Sequence, residues 1–320
     1  MKVVILSLLG VLASIVLIEL LLRLLFGFGN PPLYIADDAI GYLLAPNQNL
    51  RRFGNRIVIN QYSMRSYTIK KSRPENTLRI FLIGDSIVNG NWWTDQHKIL
   101  SALIKQQLSS RLDQSGRLAI QQSVEVLNAS ANSWGPRNQL AYLRRFGIFE
   151  SQAVLLVINT DDLFGTRPSP LQVGQDRSYP DKKPPLALLE LTNRFKKQSP
   201  IPGLKEIQNE SGDRIGKNLT AIKEIQSYVN SHGGQLLLAM TPLKREVLDQ
   251  PRDYEIAARQ RVDNFVKEQQ IPYIDFLLVF QAHPDAAYLY RDHIHLSPEG
   301  NSLVAQFLSE SILQFLASKN

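Results

Sequence analysis

The sequence predicts an α/β fold, a parallel β-sheet covered by helices on both faces, behind an N-terminal membrane-spanning helix. From residue 79 onward, short segments that are apolar throughout alternate with segments of helical periodicity, as in parallel sheets buried on both faces. The first 28 residues are nearly free of charge, as in a helix that crosses a bilayer. The 320 residues are 44% hydrophobic and 20% charged, which suits a packed core and argues against global disorder.

Five strands and five accompanying helices are predicted in the main part of the chain. The strand candidates cover 79–84, 124–128, 153–159, 235–240 and 272–276. The helical patterns cover 95–112, 137–147, 216–231, 253–269 and 298–318. The last helix has a clear start signal, because Ser297 can cap it and Pro298 suits its first position.

The amino-terminal segment predicts a membrane-spanning helix over residues 3–28. Val3 to Ile18 carries no charge, and a helix over the full segment would measure about 39 Å, enough to cross a bilayer with tilt. Glu19 and Arg23 stand four residues apart, so they can pair on one face of this helix.

Positive charge sets the expected orientation of that helix. Lys2 precedes it, and no Lys or Arg occurs from Leu24 to Leu50. We therefore expect the short tail in the cytoplasm and the bulk of the chain on the extracytoplasmic side. A cleaved signal peptide is the alternative, although no small-x-small cleavage site follows the apolar stretch. A buried core helix is disfavoured, because no nearby segment is apolar enough to cover all its faces.

Three regions are expected along the chain. Residues 1–28 form the anchor, 29–78 a juxtamembrane region of short extended pieces with one strand over 56–60, and 79–320 the main domain. Residues 165–205 hold seven of the 17 prolines and are too long for an ordinary connection. They predict an insertion near the carboxyl end of the third strand, where loops usually line a site. A disordered surface loop is the alternative.

Part of the net charge of +7 is local, since residues 51–79 hold eight Lys and Arg residues against one Glu. This segment predicts either a solvated surface or a patch that faces anionic head groups or an acidic glycan. No aromatic-interleaved basic motif accompanies it, so nucleic acid is not an expected partner. The chain has no cysteine, which removes disulfides, thiolate metal sites and cysteine nucleophiles.

Two distant segments combine a nucleophile, a base and a carboxylate. Ser86 follows the first predicted strand, while Asp292 and His295 precede the last helix. Ligands of an open parallel sheet bind beyond the carboxyl ends of its strands, and a serine needs an oriented base in order to attack. We predict Ser86 as the nucleophile, His295 as the base and Asp292 as the carboxylate that orients it. This chemistry requires no cofactor or metal.

These motifs, in their order and strand context, resemble the SGNH or GDSL hydrolase superfamily over residues 79–318. The Gly-Asp-Ser of 84–86 matches its first block, and the Asp-x-x-His of 292–295 matches its last. Residues 126–130 resemble the lead into the second block, and 159–162 the third. The apolar first helix resembles the membrane-anchored branch. The resemblance implies a flavodoxin-like, three-layer α/β/α sandwich with a five-stranded sheet, and activity as an esterase, lipase, acyltransferase or carbohydrate deacetylase.

Two positions depart from the family pattern. The third block normally supplies an Asn whose amide binds the oxyanion, but Asp161 stands there. A carboxylate repels an oxyanion, and losing one such donor costs about 10²–10³ in rate. Ser133 replaces the glycine of the second block, where its backbone N–H can still serve beside that of Ser86. Asn159 and Asn132 are candidates for the missing amide.

The resemblance and the expected topology predict a membrane-anchored ester hydrolase or acyltransferase. Its substrate would be an acylated cell-envelope glycan or lipid, and envelope polysaccharide machinery is its expected partner. The Asp161 departure motivates the alternative, a catalytically weakened glycan-binding or assembly protein. A soluble lipase is disfavoured because the apolar helix has no cleavage signal. Trp92, Trp93 and Trp134 could stack on a sugar or simply pack, and His293 is predicted at the surface.

Overall fold

The computed structural model describes residues 1–115 and 123–317. The strands in this part of the chain are β1 (Tyr34–Asp37), β2 (Gly41–Leu44), β3 (Gln48–Arg52), β4 (Asn55–Ile59), β5 (Thr77–Gly84), β6 (Ser123–Ser130), β7 (Ala153–Asn159), β8 (Leu236–Thr241) and β9 (Tyr273–Asp275). The α-helices are α1 (Lys2–Leu21), α2 (Ser86–Asn89), α3 (Leu100–Ser115), α4 (Pro136–Phe146), α5 (Ala187–Asn193), α6 (Leu204–Gln208), α7 (Arg214–Ser231), α8 (Lys244–Leu248), α9 (Asp253–Glu268), α10 (Phe276–Gln281) and α11 (Pro298–Ala317).

A five-stranded parallel sheet forms the centre of the main domain, with the strand order β6-β5-β7-β8-β9. Every residue of β5 and β7 is buried, as expected for strands covered on both faces. In chain order this is the 2-1-3-4-5 arrangement of flavodoxin-like sheets. The predicted fold class is confirmed.

The two faces of the sheet have separate cores, because successive side chains of a strand point to opposite sides. Phe81 and Ile83 of β5 pack with α4, α7 and α9. Ile80 and Leu82 of the same strand pack with α3, α10 and α11. Burying one such side chain contributes about 1.5–3 kcal/mol, so both layers of helices are held by the apolar runs visible in the sequence.

The predicted strands lie within three residues of the observed ones at each end. The first helix was predicted to begin at residue 95, but the observed helix α3 begins at Leu100. The preceding residues bind strand β4, because Asp95 Oδ2 accepts from Arg56 N–H at 2.8 Å and Gln96 N–H donates back to Arg56 O at 2.9 Å. These tertiary contacts hold residues 95 and 96 in a turn. The start predicted for the last helix is confirmed, with Ser297 Oγ accepting from Gly300 N–H at 3.1 Å.

Strands β5 and β7 end side by side, where the strand order reverses. Such a switch point is the usual ligand site of an open α/β sheet. Gly84 closes β5 there, and a Cβ at this position would lie 2.4 Å from Val88 Cγ2 and 2.7 Å from Val157 O. Only glycine therefore lets the chain turn this tightly from β5 into α2.

Residues 29–78 fold into two antiparallel hairpins, β1–β2 and β3–β4. The strand predicted over 56–60 is β4. Ile40, Tyr42 and Met64 are buried in the same apolar cluster as Phe81 of the central sheet. This region thus packs on the main domain and closes one side of its core.

Three of the eight basic residues in the segment 51–79 are buried, so this part of its charge belongs neither to a solvated face nor to an anion-binding patch. Arg52 pairs with Glu190, and Arg79 binds Glu125 at 2.7 Å. Arg65 donates to the backbone carbonyls of Asn89, Asn91 and Thr94. A buried charge is tolerated only when it is paired, so these residues hold loops and strands together instead of facing a ligand.

The amino-terminal helix α1 continues as one π-helical turn, Leu22–Phe26. The combined helix of 25 residues is long and apolar enough to cross a membrane, a property that signal sequences share. No residue of α1 is buried in the protein. Gly27 ends the helix with a φ of +71°, where a Cβ would lie 2.0 Å from Arg51 O.

Candidate active site

Ser86 is placed by the tight turn after β5. Asp85 caps the short helix α2, its Oδ1 accepting from Ile87 N–H at 2.8 Å, and Ser86 is the first residue of that helix. Its side chain is largely buried at the carboxyl edge of the sheet. The local sequence therefore presents a hydroxyl at the point where a ligand would enter.

Asp292 and His295 are held in a compact turn before α11. Asp292 Oδ1 accepts from the backbone N–H of Ile294 at 3.0 Å and of His295 at 2.8 Å. Its other oxygen lies 2.8 Å from His295 Nδ1. Arg291 N–H donates to His295 O at 2.8 Å, which closes the turn. The imidazole is thus fixed by its own loop.

The tertiary structure brings the two segments together. His295 Nε2 lies 2.9 Å from Ser86 Oγ, within the range of a hydrogen bond. Burial works against ionisation of Asp292, but the two backbone N–H groups and the imidazole outweigh it, so that the pKa of Asp292 is lowered. An ionised Asp292 favours the tautomer that carries its proton on Nδ1, which leaves Nε2 free to accept a proton from the serine.

A cleft of about 730 Å³ opens over Ser86 and His295. Ser133, Asn159 and Asp161 also line it, as do residues of the predicted insertion 165–205 such as Tyr179. Ser133 has a φ of +59°, and its Oγ accepts from Tyr179 Oη at 3.1 Å. The structure therefore places the predicted site residues around one opening, except Asp292, which lies behind it on the other nitrogen of the His295 imidazole.

The prediction that Asn159 could supply the missing oxyanion amide is wrong. Asn159 is almost fully buried, and its Nδ2 donates to Asp85 Oδ2 at 2.9 Å and to Asp162 Oδ2 at 3.1 Å. An amide with both hydrogens committed to carboxylates has none left for a substrate oxygen. Asn159 instead ties together two buried acids behind the nucleophile.

Burial raises the pKa of both acids. The pKa of Asp85 is raised mainly by burial. The pKa of Asp162 is raised well above its ordinary value, first by burial and then by the nearby charge of Asp85. Two neighbouring carboxylates in an apolar site do not both ionise readily. Asp162 also accepts from Asn159 N–H at 2.9 Å, which completes a capping box at the start of the turn after β7.

Asp161 borders the cleft with a carboxyl group where the family carries an amide. Its pKa is raised by desolvation and then by the charges of Glu246 and Glu255. Its backbone N–H donates to Asn159 Oδ1 at 2.7 Å, which fixes the turn after β7. Two further side-chain amides of the cleft belong to Asn132 and Asn91, which are joined by a 3.2 Å hydrogen bond from Asn132 Nδ2 to Asn91 Oδ1.

Sequence reasoning missed Asn91 and the role of Trp93. Trp93 meets the imidazole of His295 edge-on, with ring centroids 4.8 Å apart. The guanidinium of Arg291 lies over the ring of Trp93, 4.8 Å from the ring centroid. Nothing in the residue spacing pointed to these contacts, because they join the loop after α2 to the turn before α11.

The other aromatic and histidine candidates have clear positions. Trp134 is buried and donates from Nε1 to Tyr42 O at 3.0 Å, so it is a packing residue. Trp92 stacks in a tilted arrangement on Phe53 at 4.8 Å. The side chain of His293 is 84% exposed, which confirms the surface position predicted for it. Within residues 1–115 and 123–317, no cluster of His, Asp or Glu has a geometry that could hold a metal ion.

Comparisons with known proteins agree with this architecture. The profile of the GDSL-like lipase/acylhydrolase family matches residues 82–303. Among curated proteins, none matches the chain.

Three solved structures illustrate the likeness. An acetyl xylan esterase, AlAXEase, is 13% identical with a TM-score of 0.48, covering 73% of this chain and 99% of its own. A variant of an acetyl xylan esterase from Geobacillus stearothermophilus is 15% identical with a TM-score of 0.46, covering 74% and 94%. The lipase/acylhydrolase from Enterococcus faecalis is 15% identical with a TM-score of 0.43, covering 73% and 94%. Likenesses at these values carry no argument about the substrate of this chain.

Proposed function

Because the chain belongs to the GDSL-like lipase/acylhydrolase family, we propose that it is a membrane-anchored serine ester hydrolase or acyltransferase. Its substrate is an acylated glycan or lipid of the cell envelope. The observation that carries this proposal is the 2.9 Å separation of Ser86 Oγ and His295 Nε2, with Asp292 bound to the other imidazole nitrogen. Nucleophile, base and orienting carboxylate are in the order that acyl transfer requires.

The proposed reaction has two steps. Ser86 Oγ attacks the acyl carbonyl while His295 Nε2 takes the hydroxyl proton, and Asp292 stabilises the imidazolium. The tetrahedral intermediate then collapses, the alcohol leaves with the proton from His295, and the acyl group stays on Ser86 as an ester. In the second step His295 deprotonates water or a sugar hydroxyl, which attacks the acyl-enzyme and frees Ser86. Water gives hydrolysis, and a sugar hydroxyl gives transfer.

The oxyanion of each intermediate needs hydrogen-bond donors. We assign the backbone N–H groups of Ser86 and Ser133, which line the same cleft. Asn132 is the side-chain amide left for this role, with Asn91 beside it. Asp161 adds a carboxyl group to this site, so we expect a slower reaction than in relatives with an amide there.

The lining of the cleft supports a carbohydrate as the acylated group. Apart from the catalytic set it includes Asn91, Arg167, Gln172, Asp176 and Arg214. Such side chains match the hydroxyl and anionic groups of a glycan better than a long acyl chain, which requires an apolar lining. An acetyl-sized group on a polar glycan therefore suits this cleft.

The membrane location is supported by the helix Lys2–Phe26, which is long and apolar enough to cross a bilayer. With Lys2 on the short side, the positive-inside rule favours a catalytic domain on the extracytoplasmic side. There it would meet envelope glycans and the machinery that assembles them. Fractionation of the intact chain tests this location, because a cleaved signal peptide would release the domain into the soluble fraction.

The activity itself is tested with the purified full chain in detergent. We expect hydrolysis of p-nitrophenyl acetate and covalent labelling by a fluorophosphonate probe, both lost in Ser86→Ala. Ser199→Ala, an exposed serine outside the cleft, is the matched control and should keep both. The carboxyl group of Asp161 favours a second candidate, a glycan-binding or assembly protein with the same fold. Equal background rates in wild type and Ser86→Ala, together with glycan binding by both, would favour that candidate.

A further inference from the structure

The two charged residues near the end of the membrane helix have partners in the insertion 165–205. Glu19 accepts from the backbone N–H of Ala187 at 2.8 Å and of Leu188 at 2.9 Å, one with each carboxylate oxygen. Arg23 binds Glu19 at 2.7 Å and donates to Pro185 O at 2.8 Å. Helix α5 is therefore capped at its amino end by a side chain of the membrane helix.

This contact fixes the level of α5 relative to the bilayer. Glu19 lies seven residues before the helix end at Phe26, which is about 10 Å along the axis at ~1.5 Å per residue. The uncharged stretch Val3–Ile18 accounts for about 24 Å of helix, less than the ~30 Å hydrocarbon core of a bilayer. A charged side chain is costly inside the hydrocarbon, so we expect Glu19, and the start of α5 with it, to be drawn to the border between the hydrocarbon and the head groups.

Helix α5 and its N-cap contain both buried and exposed positions. Ala187 is fully buried, and Glu190 binds Arg52 and the backbone N–H of Gly29. Leu186 and Leu189, three residues apart, are by contrast 51% and 38% exposed. These exposed apolar side chains lie at the expected level of the border between the hydrocarbon and the head groups.

The chain that follows α5 continues the same surface. Phe195 is 84% exposed, which is unusual for a phenyl ring in water but ordinary on the apolar face of an interfacial segment. The lysines on either side of the helix are exposed as well: Lys182, Lys183, Lys196 and Lys197. An apolar face flanked by lysines is the pattern of interfacial segments that bind anionic lipids.

A line of aromatic contacts connects the domain end of the membrane helix with the candidate active site. Phe26 at the end of the membrane helix contacts Phe53 at 5.8 Å, and Phe53 contacts Trp92 at 4.8 Å. Trp92 contacts Trp93 at 5.4 Å, and Trp93 contacts His295 at 4.8 Å. Four ring-to-ring steps thus join His295 to the membrane helix, so the orientation of that helix and the orientation of the cleft are linked by packed side chains.

We propose that residues 182–197 form a second membrane contact beside the N-terminal helix. Leu186, Leu189 and Phe195 enter the head-group layer, and the flanking lysines bind anionic lipid head groups. The contact fixes the orientation of the domain, and of the cleft with it, relative to the membrane surface. This inference rests on the proposed anchoring by residues 2–26, but not on the proposed catalytic activity.

The absence of cysteine from the chain permits a direct test. The full chain, carrying one cysteine at a time with a nitroxide label, is reconstituted into vesicles of phosphatidylethanolamine and phosphatidylglycerol. Collision rates with oxygen, which concentrates in lipid, and with a water-soluble nickel complex report the depth of each label. Leu189→Cys and Phe195→Cys test the inference. Leu278→Cys, an apolar residue of α10 that is 75% exposed, is the aqueous control, and Leu12→Cys tests the anchoring itself.

We expect the labels at positions 189 and 195 to collide more with oxygen than with the nickel complex, though by a smaller ratio than the label at position 12. The label at position 278 should collide more with the nickel complex. Vesicles of phosphatidylcholine alone should reduce the effect at 195 but not at 12. If the label at position 12 is in lipid while those at 189 and 195 behave like the label at 278, the proposal of a second contact is wrong and the proposed anchoring stands. If the label at position 12 is in water, both proposals are wrong. Circular dichroism and thermal unfolding of each labelled chain show that it is folded.

Discussion

The indole of Trp93 meets the imidazole of His295 edge-on, with centroids 4.8 Å apart and planes inclined by 70°. This is the T-shaped geometry that aromatic pairs prefer. The turn fixes one end of the imidazole through Asp292, and Trp93 limits its remaining freedom to tilt. Arg291, over the indole at 4.8 Å, holds Trp93 in place by a cation–π contact. The indole is therefore a positioning residue for the proposed base.

Replacing Trp93 tests that role. We expect Trp93→Ala to lower kcat by about 10–100-fold, the cost of a misplaced catalytic group, while Trp93→Phe keeps most of the rate because a ring still contacts His295. Steady-state kinetics with p-nitrophenyl acetate separate kcat from KM. A loss that appears only in KM would mean that the indole binds substrate and does not position the imidazole.

Asp292→Asn should lower kcat by about 10⁴-fold, because an amide at this place no longer favours the tautomer with the proton on Nδ1. Asn can still accept the backbone hydrogen bonds from Ile294 and His295, so the turn should survive. Circular dichroism and thermal unfolding check that it does. A nearly unchanged kcat in a folded Asp292→Asn chain would show that another group orients His295.

Asp161→Asn should raise kcat/KM for ester hydrolysis by at least 10-fold, since an oxyanion donor is worth about 10²–10³ in rate. Asp161→Ala removes the carboxyl group without adding a donor and serves as the matched control. A rise in both variants would indicate that the negative charge alone slows the reaction. A fall in both would show that the carboxyl group takes part in the chemistry or in binding.

Asp162→Asn should stabilise the protein more at pH 8 than at pH 5. The pKa of Asp162 is raised in the folded state, so the folded protein binds more protons than the unfolded chain above a pH of about 4. The free energy of unfolding therefore falls as the pH rises through the folded pKa. An asparagine, uncharged at every pH, removes this loss and can still accept from Asn159.

The melting temperature at the two pH values measures the effect, with about 2–4 °C expected for each ~1 kcal/mol recovered. Asp213→Asn is the control, because hydrogen bonds to Arg261 and Gly216 lower the pKa of the exposed Asp213 to about 2, outside the pH window. The same gain at pH 5 and pH 8 in Asp162→Asn would contradict the assignment of a raised pKa.

The alternation of apolar strands with amphipathic helices was enough to predict the central sheet, because a fully buried strand must be apolar at every position. The positions of Ser86, Asp292 and His295 next to predicted elements also indicated that they could form a site. The end of the first strand and the start of the last helix can both be predicted from the local sequence. Helix α3 was placed too early because Asp95 and Gln96 bind Arg56, a contact about 40 positions away that no local pattern contains.

The sequence by itself determined the order of the elements, the membrane-type helix and the residue types of a serine-based site. Only the tertiary structure decided which polar groups are available to a ligand. Asn159 is taken up by Asp85 and Asp162, Arg52, Arg65 and Arg79 are buried in ion pairs or on carbonyls, and Glu19 caps α5. The physical reason is the same in each case. A buried polar group must find a partner, and that partner is chosen by packing in three dimensions, whereas burial of apolar faces leaves a period that the chain displays directly.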